Sequence, residues 1–421
     1  MKPRILVLLP LLTATFSSAQ TSDALISKAA AALEQKLVEI RRDLHMHPEL
    51  SNQEKRTSQV VADRLKALGL EVSAGYGVVG LLKGGQPGPV VAVRADMDAL
   101  PIQEARDVPY KSQVKGVMHA CGHDVHTTIV LGTAEVLAGM RDRLKGSVKF
   151  IFQPAEEDWP EGTTAGALRM IQEGVLENPR PGAIFGLHVF GRPVGELSYE
   201  PNGRVEASVD DFLITVRGKL AHGALEPHKG VDAIVAAAEC VMALQTIRSR
   251  KTDPMQQMSL AIGTIQGGTR TNILADEVKL TGTLRALDPA LRETAKRQMR
   301  EVLAGITAAH GATFDLAFTA SFPMVLNERT LLEASIPSLR KTVGASNLML
   351  DTPDLGADDF AFFQEVIPGL YFNLGVFNKD KGIQSPIHTG TFDVDERCIV
   401  IGVKAMANLA VDYLERESAR R

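Results

Sequence analysis

Short, almost wholly apolar runs alternate along this chain with helical stretches, and midway the alternation changes kind. PVVAVR (89–94), SVKFIF (147–152), GAIFGL (182–187) and LYFNL (370–374) are mostly apolar at both alternate sets of positions, with Arg94, Ser147, Lys149 and Asn373 the polar members. They therefore read as strands buried on both faces. Val125–Met140 and Gly166–Glu173, between the first three, read as helices, and another helix is expected near Ala24–Leu44. This order predicts an α/β layer around a mostly parallel sheet. From Ser208 the period changes. Ser208–Lys219 alternates as a strand, Val231–Ile247 is helical, and Gln257–Gln266 and Glu277–Arg285 are strands. Pro289–Ala309 is helical and Ala312–Thr319 is again a strand. That β-α-β-β-α-β order is a ferredoxin-like unit, inserted into the α/β domain. The expected organisation is a catalytic domain in two parts, 20–205 and 323–421, with the insert at 206–322.

Residues 1–19 are set aside as a signal peptide. Lys2 and Arg4 lead an apolar run, Ile5–Leu12, followed by small residues that predict cleavage after Ala19. The run is too short to anchor the protein in a bilayer. An exported protein, periplasmic or secreted and with no membrane anchor in its mature form, is therefore expected. Three cysteines in 421 residues make no disulfide framework. Cys240 and Cys398 sit in apolar runs and read as small buried hydrophobes. A formal charge of −4 and 5% aromatic residues argue against nucleic acid as a partner.

Cys121 has different company. MHACGHDVH (118–126) stands before a predicted helix, and RADMDALP (94–101), QPAEE (153–157) and GLHV (186–189) stand at or just beyond predicted strand ends. PIHTG (386–390) lies in a late loop. Ligands collect at the carboxyl ends of strands in open α/β sheets, so these segments can converge. Together they supply thiolate, imidazole and carboxylate, a set suited to Zn²⁺, Mn²⁺, Co²⁺ or Ni²⁺ rather than Ca²⁺. Cys121 and His123, one glycine apart, can turn toward one point. The N-terminus of the following helix is expected to favour the thiolate. Each motif alone has an ordinary structural explanation; their joint occurrence points to a metal site.

These segments, with RRDLHMHPELS (41–51), GKLAHGA (218–224), GGTRTNILADEVKLTGTLR (267–285) and GADDFAFF (356–363), resemble the co-catalytic metallopeptidase family of aminoacylases. The cysteine resembles the branch with hippurate hydrolases, N-acyl-amino-acid amidohydrolases and indole-3-acetyl-amino-acid hydrolases. The resemblance runs from about Ile40 to Tyr413 and agrees with a catalytic domain plus a lid or dimerisation domain.

The resemblance implies two divalent metal ions per subunit. Cys121 would bridge them, with His123, Glu157, His188 and His388 completing the sites. Glu156 would be the general base toward a metal-activated water and Asp98 the acid that orients a ligand. Asn272 and Arg285 would bind the substrate carboxylate, and His222 would stabilise the oxyanion from a partner subunit. Asp96 stands where other branches carry a metal histidine and is not read as a ligand. His119 and His126 flank the site as lesser candidates. One residue more than the usual pattern separates His222 from Pro227, which leaves His228 without a role. His45, His47 and His310 read as structural or surface residues. The implied activity is hydrolysis of the amide bond of N-acyl or aryl-acyl amino acids, by a homodimer or higher homo-oligomer. An exported metallo-dipeptidase or carboxypeptidase, or a silent binding protein of this fold, are the alternatives. Glu156 is present, which speaks against the silent form.

Overall fold

The main sheet has eight strands, in the order Glu71–Ala74, Val78–Lys83, Lys145–Gln153, Gln86–Asp96, Ile184–Pro193, Gly369–Phe377, Leu197–Tyr199, Leu348–Leu350. This is a computed structural model, and it describes residues 21–158 and 163–420. The expected signal peptide lies outside them. Gln86–Asp96 pairs in parallel with both neighbours, and Gly369–Phe377 pairs in parallel with Ile184–Pro193. The Glu71–Ala74 and Val78–Lys83 hairpin joins one edge antiparallel.

The central strands bury both faces because each face meets a different set of helices. Val91, Val93 and Ala95 point into the larger core, with Ile129, Val403 and Leu409 of helices His123–Gly139 and Arg397–Ala419. Ala92, Ile151, Ile184 and Tyr371 enter a second core, with Met170 of Gly166–Gln172 and Phe360 and Phe363 of Phe360–Gln364. The period of two across one strand thus feeds two apolar layers. The helix expected over Ala24–Leu44 is two helices, Ser22–Ala32 and Glu34–Met46. They are divided at Leu33, whose N–H bonds the Ala30 carbonyl in a tightened turn.

The middle segment forms its own four-stranded antiparallel sheet, in the order Met258–Gly267, Glu277–Ala286, Ser208–Arg217, Thr313–Phe322. Helices Ala233–Thr246 and Pro289–His310 cover one face, around a core that includes Ile214, Val216, Cys240, Leu280, Leu284 and Leu303. Buried Asp210 ties sheet to helix: it accepts from Arg292 Nε and Nη2 at 2.7 Å each and from Ser321 Oγ at 2.5 Å, with Lys296 Nζ at 2.7 Å. The two chain crossings into this unit lie side by side, as Arg204–Glu206 pairs antiparallel with Val325–Leu326. Cys121, Cys240 and Cys398 are all buried and free.

Candidate metal centre

Helix His123–Gly139 begins at Gly122, whose φ of +92° lets the chain reverse between Cys121 and His123. A Cβ there would also meet Val189 Cγ2 at 2.4 Å, so the close approach of Val189 and the left-handed turn both require glycine. The strand expected to end at Leu187 runs on to Pro193, because it keeps pairing with Gly369–Phe377. His188 therefore projects from within a strand, opposite Asn373, and not from a loop beyond it.

Cys121 Sγ lies 3.3 Å from His188 Nε2 and 3.3 Å from His388 Nε2. His388 Nε2 is 3.2 Å from Glu157 Oε1, and His123 Nε2 is 3.9 Å from both Glu156 Oε2 and Glu157 Oε1. Two donor groups contain the thiolate, Cys121 with His123 and His188, and Cys121 with Glu157 and His388, and a further group sets His123 with Glu156 and Glu157. Within each group the donor atoms lie within 4.8 Å of one another. The first two groups share the sulfur, which is the arrangement a bridging thiolate requires. The residues fit the metals chemically as well. His123 Nε2 is buried without a hydrogen-bond partner among the described residues, a condition that costs about 1–3 kcal/mol unless something else binds it. Imidazole, thiolate and carboxylate form a donor set suited to Zn²⁺, Mn²⁺, Co²⁺ or Ni²⁺.

Each donor is held from behind. His123 Nδ1 donates to Asp98 Oδ1 at 3.2 Å, which leaves Nε2 as its free donor atom. Asp98 Oδ2 accepts from Ser51 Oγ at 2.7 Å and from the Glu157 amide at 3.0 Å. Burial opposes the charge on Asp98, yet the His123 bond and charge, with the bonds from Ser51 and the Glu157 amide, together hold the carboxyl below its ordinary range. His188 Nδ1 donates to the Val189 carbonyl at 2.6 Å. His388 sits at the rim, half exposed, with φ of +60° and its N–H on the Ala120 carbonyl at 2.8 Å.

Burial first, then the Glu157 and Glu156 carboxylates, push the Cys121 thiol above its ordinary value, against the field of the helix N-terminus. Glu156 is likewise raised by burial and then by Asp358, Glu157 and Asp359.

His126 is not free to ligate. Its Nδ1 bonds Asp96 Oδ1 at 2.7 Å and its Nε2 accepts the Val189 N–H at 2.9 Å. Asp96 is engaged by Arg94 Nη1 at 2.7 Å, and buried Arg94 also reaches Asp358 and Asp359 at 3.0 Å. His119 is buried, without a hydrogen-bond partner among the described residues, and belongs to neither donor group. His45 bonds Asp124 at 2.8 Å, His47 its own helix and His310 Glu239, all outside the donor groups. His228 is exposed in the turn Pro227–Lys229.

The three substrate-side residues lie on the inserted unit. His222 Nδ1 accepts from the amides of Ala224 and Leu225 at 3.3 and 3.1 Å, so a neutral ring carries its proton on Nε2, the nitrogen that faces the Asn272 side-chain amide. Arg285 Nη1 donates to the Leu355 carbonyl at 2.5 Å, across the junction with the main domain. Among the described residues no hydrogen bond joins these three to the Cys121 cluster.

The sequence assigns no role to Arg94 in RADMDALP, to Asp358 and Asp359 in GADDFAFF, or to Glu54. Nothing local separates a charged residue that will be buried from a solvated one. Their partners lie far off in the chain, as Arg94 and Asp358 show.

A mostly parallel α/β sheet, an inserted two-layer unit and a shared-thiolate donor cluster with a spare carboxylate define a two-metal hydrolase. The chain matches the model of peptidase family M20/M25/M40 over residues 92–412 and belongs to that family. Over 387 residues it is 39% identical to thermostable carboxypeptidase 2 of Saccharolobus solfataricus, covering 90% of this chain and 96% of the relative. It is 37% identical over 392 residues to N-acetylcysteine deacetylase of Bacillus subtilis, covering 92% and 99%. The Bacillus subtilis YXEP protein, a dinuclear metal-binding peptidase of the M20 family, superposes with a TM-score of 0.79 at 35% identity, covering 91% and 99%. The chain is a metal-dependent hydrolase of the amidohydrolase and peptidase type. No helix among the described residues is long and apolar enough to cross a membrane.

Proposed function

We propose that this protein hydrolyses the amide bond of N-acyl or aryl-acyl amino acids, with two divalent ions drawn from Zn²⁺, Mn²⁺, Co²⁺ and Ni²⁺. The observation that carries this is the division of labour at one turn: Glu157 faces the Cys121 and His388 donors, while Glu156 beside it belongs to neither thiolate group. Bound ions would polarise the scissile carbonyl and acidify the attacking water. Glu156 takes the proton of that water and delivers it to the leaving nitrogen. A carboxylate beside the metal donors, and not among the thiolate groups, is placed to hold a proton between those steps. Asp98 keeps His123 in the tautomer that ligates through Nε2.

His222 carries its proton on Nε2, as an oxyanion donor must. Asn272 and Arg285 supply polar and cationic groups for the substrate carboxylate. The resemblance that assigns these residues also brings His222 from a partner subunit, and among the described residues no hydrogen bond joins the three to the Cys121 cluster. The inserted unit offers a surface for pairing: Met258–Gly267 is an edge strand, and Ile234, Val235 and Met242 stand exposed on helix Ala233–Thr246. A homodimer joined through this unit, with His222 acting in trans, is therefore part of the proposal. So is export, on the strength of residues 1–19.

The relative named a carboxypeptidase favours a second reading, peptide hydrolysis. Acetyl, benzoyl, phenylacetyl and indole-acetyl amino acids, assayed beside dipeptides and with metal analysis of the same sample, separate the two. Turnover of acyl conjugates well above dipeptides is expected; the reverse order would replace the proposal with the peptidase.

A further inference from the structure

Glu156 follows a residue in an unusual conformation. Ala155 is fully buried with φ of +51°, a left-handed geometry unfavourable for any residue with a Cβ. Its amide donates to Glu54 Oε1 at 2.7 Å, from a point 101 residues earlier in the chain. Glu54 is 4% exposed at the foot of helix Lys55–Ala67 and forms no ion pair among the described residues. Burial, then the charge of Asp98, raises its pKa to about 7. An acid held there at that cost, neither a metal donor nor the partner of a cation, is explained by the bond that it accepts.

The rest of the turn is clamped in the same way. The Ala155 carbonyl lies where a Cβ on Gly166 would come within 2.7 Å. The Gly166 amide is held by Tyr76 Oη at 2.9 Å, and that hydroxyl donates to Asn52 Oδ1 at 2.8 Å. On the far side of Glu156, the Glu157 amide is held by Asp98. Two buried carboxylates thus grip the amides on either side of Glu156.

We infer that Glu54 is a positioning residue: by accepting the Ala155 amide it holds the left-handed turn that aims Glu156 at the reacting water, while Asp98 holds the Glu157 amide. This rests on Glu156 being the base. Glu54→Gln keeps an acceptor of the same reach, and Glu54→Met removes it at similar volume.

The experiment measures kcat, KM and metal per chain for wild type, both variants and Glu156→Gln. It also follows amide hydrogen exchange at Ala155 in the metal-free proteins. Glu54→Gln is expected to keep kcat within about threefold, whereas Glu54→Met loses about ten- to a hundredfold with KM and metal content unchanged. Exchange at Ala155 should be at least about tenfold faster in Glu54→Met than in Glu54→Gln. Adding Ala155→Gly, which adopts the turn freely, should restore part of the kcat that Glu54→Met lost. Wild-type kcat in Glu54→Met, an equal loss in Glu54→Gln, a loss that follows metal content, or no recovery with Ala155→Gly would overturn the inference. If Glu54→Met does not fold, Glu54→Asp, whose oxygen is drawn back by one methylene, takes its place with the same expectations. Full turnover in Glu156→Gln would instead remove the base itself, a result that the other variants cannot imitate.

Discussion

Asp98→Asn tests whether the metal centre depends on the groups behind its ligands. Three donors converge on the two oxygens of Asp98: His123 Nδ1 at 3.2 Å on Oδ1, and Ser51 Oγ at 2.7 Å and the Glu157 amide at 3.0 Å on Oδ2. Asparagine has one oxygen. If that oxygen serves Ser51 and Glu157, its NH₂ faces His123 Nδ1 and drives the ring to the other tautomer, with the proton on the atom that should bind metal. If it serves His123, the NH₂ opposes the Glu157 amide and displaces the next ligand. Either orientation weakens a site. Loss of such a supporting carboxylate costs about 10–100-fold in metal affinity, or about 1.4–2.8 kcal/mol. Competition against a chromophoric chelator would read it, with the melting temperature of the metal-free protein as a control for folding. Affinities within twofold of wild type at both sites would refute the reasoning.

A strong chelator is expected to abolish hydrolysis, and Mn²⁺, Zn²⁺ or Co²⁺ to restore it; full activity in protein shown to be metal-free would sink the mechanism. Glu156→Gln should keep its metal and lose at least about 100-fold in turnover, whereas Glu157→Gln should lose metal; exchanged phenotypes would reverse the two roles. Asp210→Asn should destabilise the inserted unit by about 3 kcal/mol, as expected when a buried charge pair loses one partner. Because the folded state depresses the Asp210 pKa, its contribution is complete above about pH 4 and fades as pH falls through the lower folded value. Urea unfolding of wild type and variant should therefore converge in acid, and a gap independent of pH would contradict the assignment. Mixing inactive Glu156→Gln and His222→Ala chains under subunit exchange should restore one working site per mixed dimer. Proven mixed dimers without activity would confine His222 to its own chain.

The strands legible in the sequence are those buried on both faces, since in Pro89–Arg94 and Leu370–Leu374 apolar residues occupy both alternate sets of positions, with Arg94 and Asn373 the polar members. Helices Lys55–Ala67, Arg329–Val343 and Arg397–Ala419 were not read from the sequence, nor were the Glu71–Ala74 and Val78–Lys83 hairpin and the three-residue strands Leu197–Tyr199 and Leu348–Leu350. Those strands are short or half-solvated, so their pattern carries little information. The metal donors were legible because cysteine and histidine are rare and chemically distinctive. The acids and the arginine behind them were not, because a Glu at position 54 has the same local signature whether it ends in solvent or against an amide 101 residues away. The left-handed turn at Ala155 had no glycine to announce it.

The order of strands in the main sheet has a consequence for synthesis. Gly369–Phe377 lies between Ile184–Pro193 and Leu197–Tyr199, both translated long before it. Until the chain beyond Gly369 emerges, the inner edge of Ile184–Pro193 is an unpaired row of backbone donors and acceptors, open to association with other nascent chains. Meanwhile the inserted unit, whose two ends adjoin, can complete its own sheet while the domain around it stands open. His388 comes later still, so the donor cluster closes only when nearly the whole polypeptide is available. A truncated chain is thus denied the chemistry, and the metal centre joins early and late parts of the protein as a final seam.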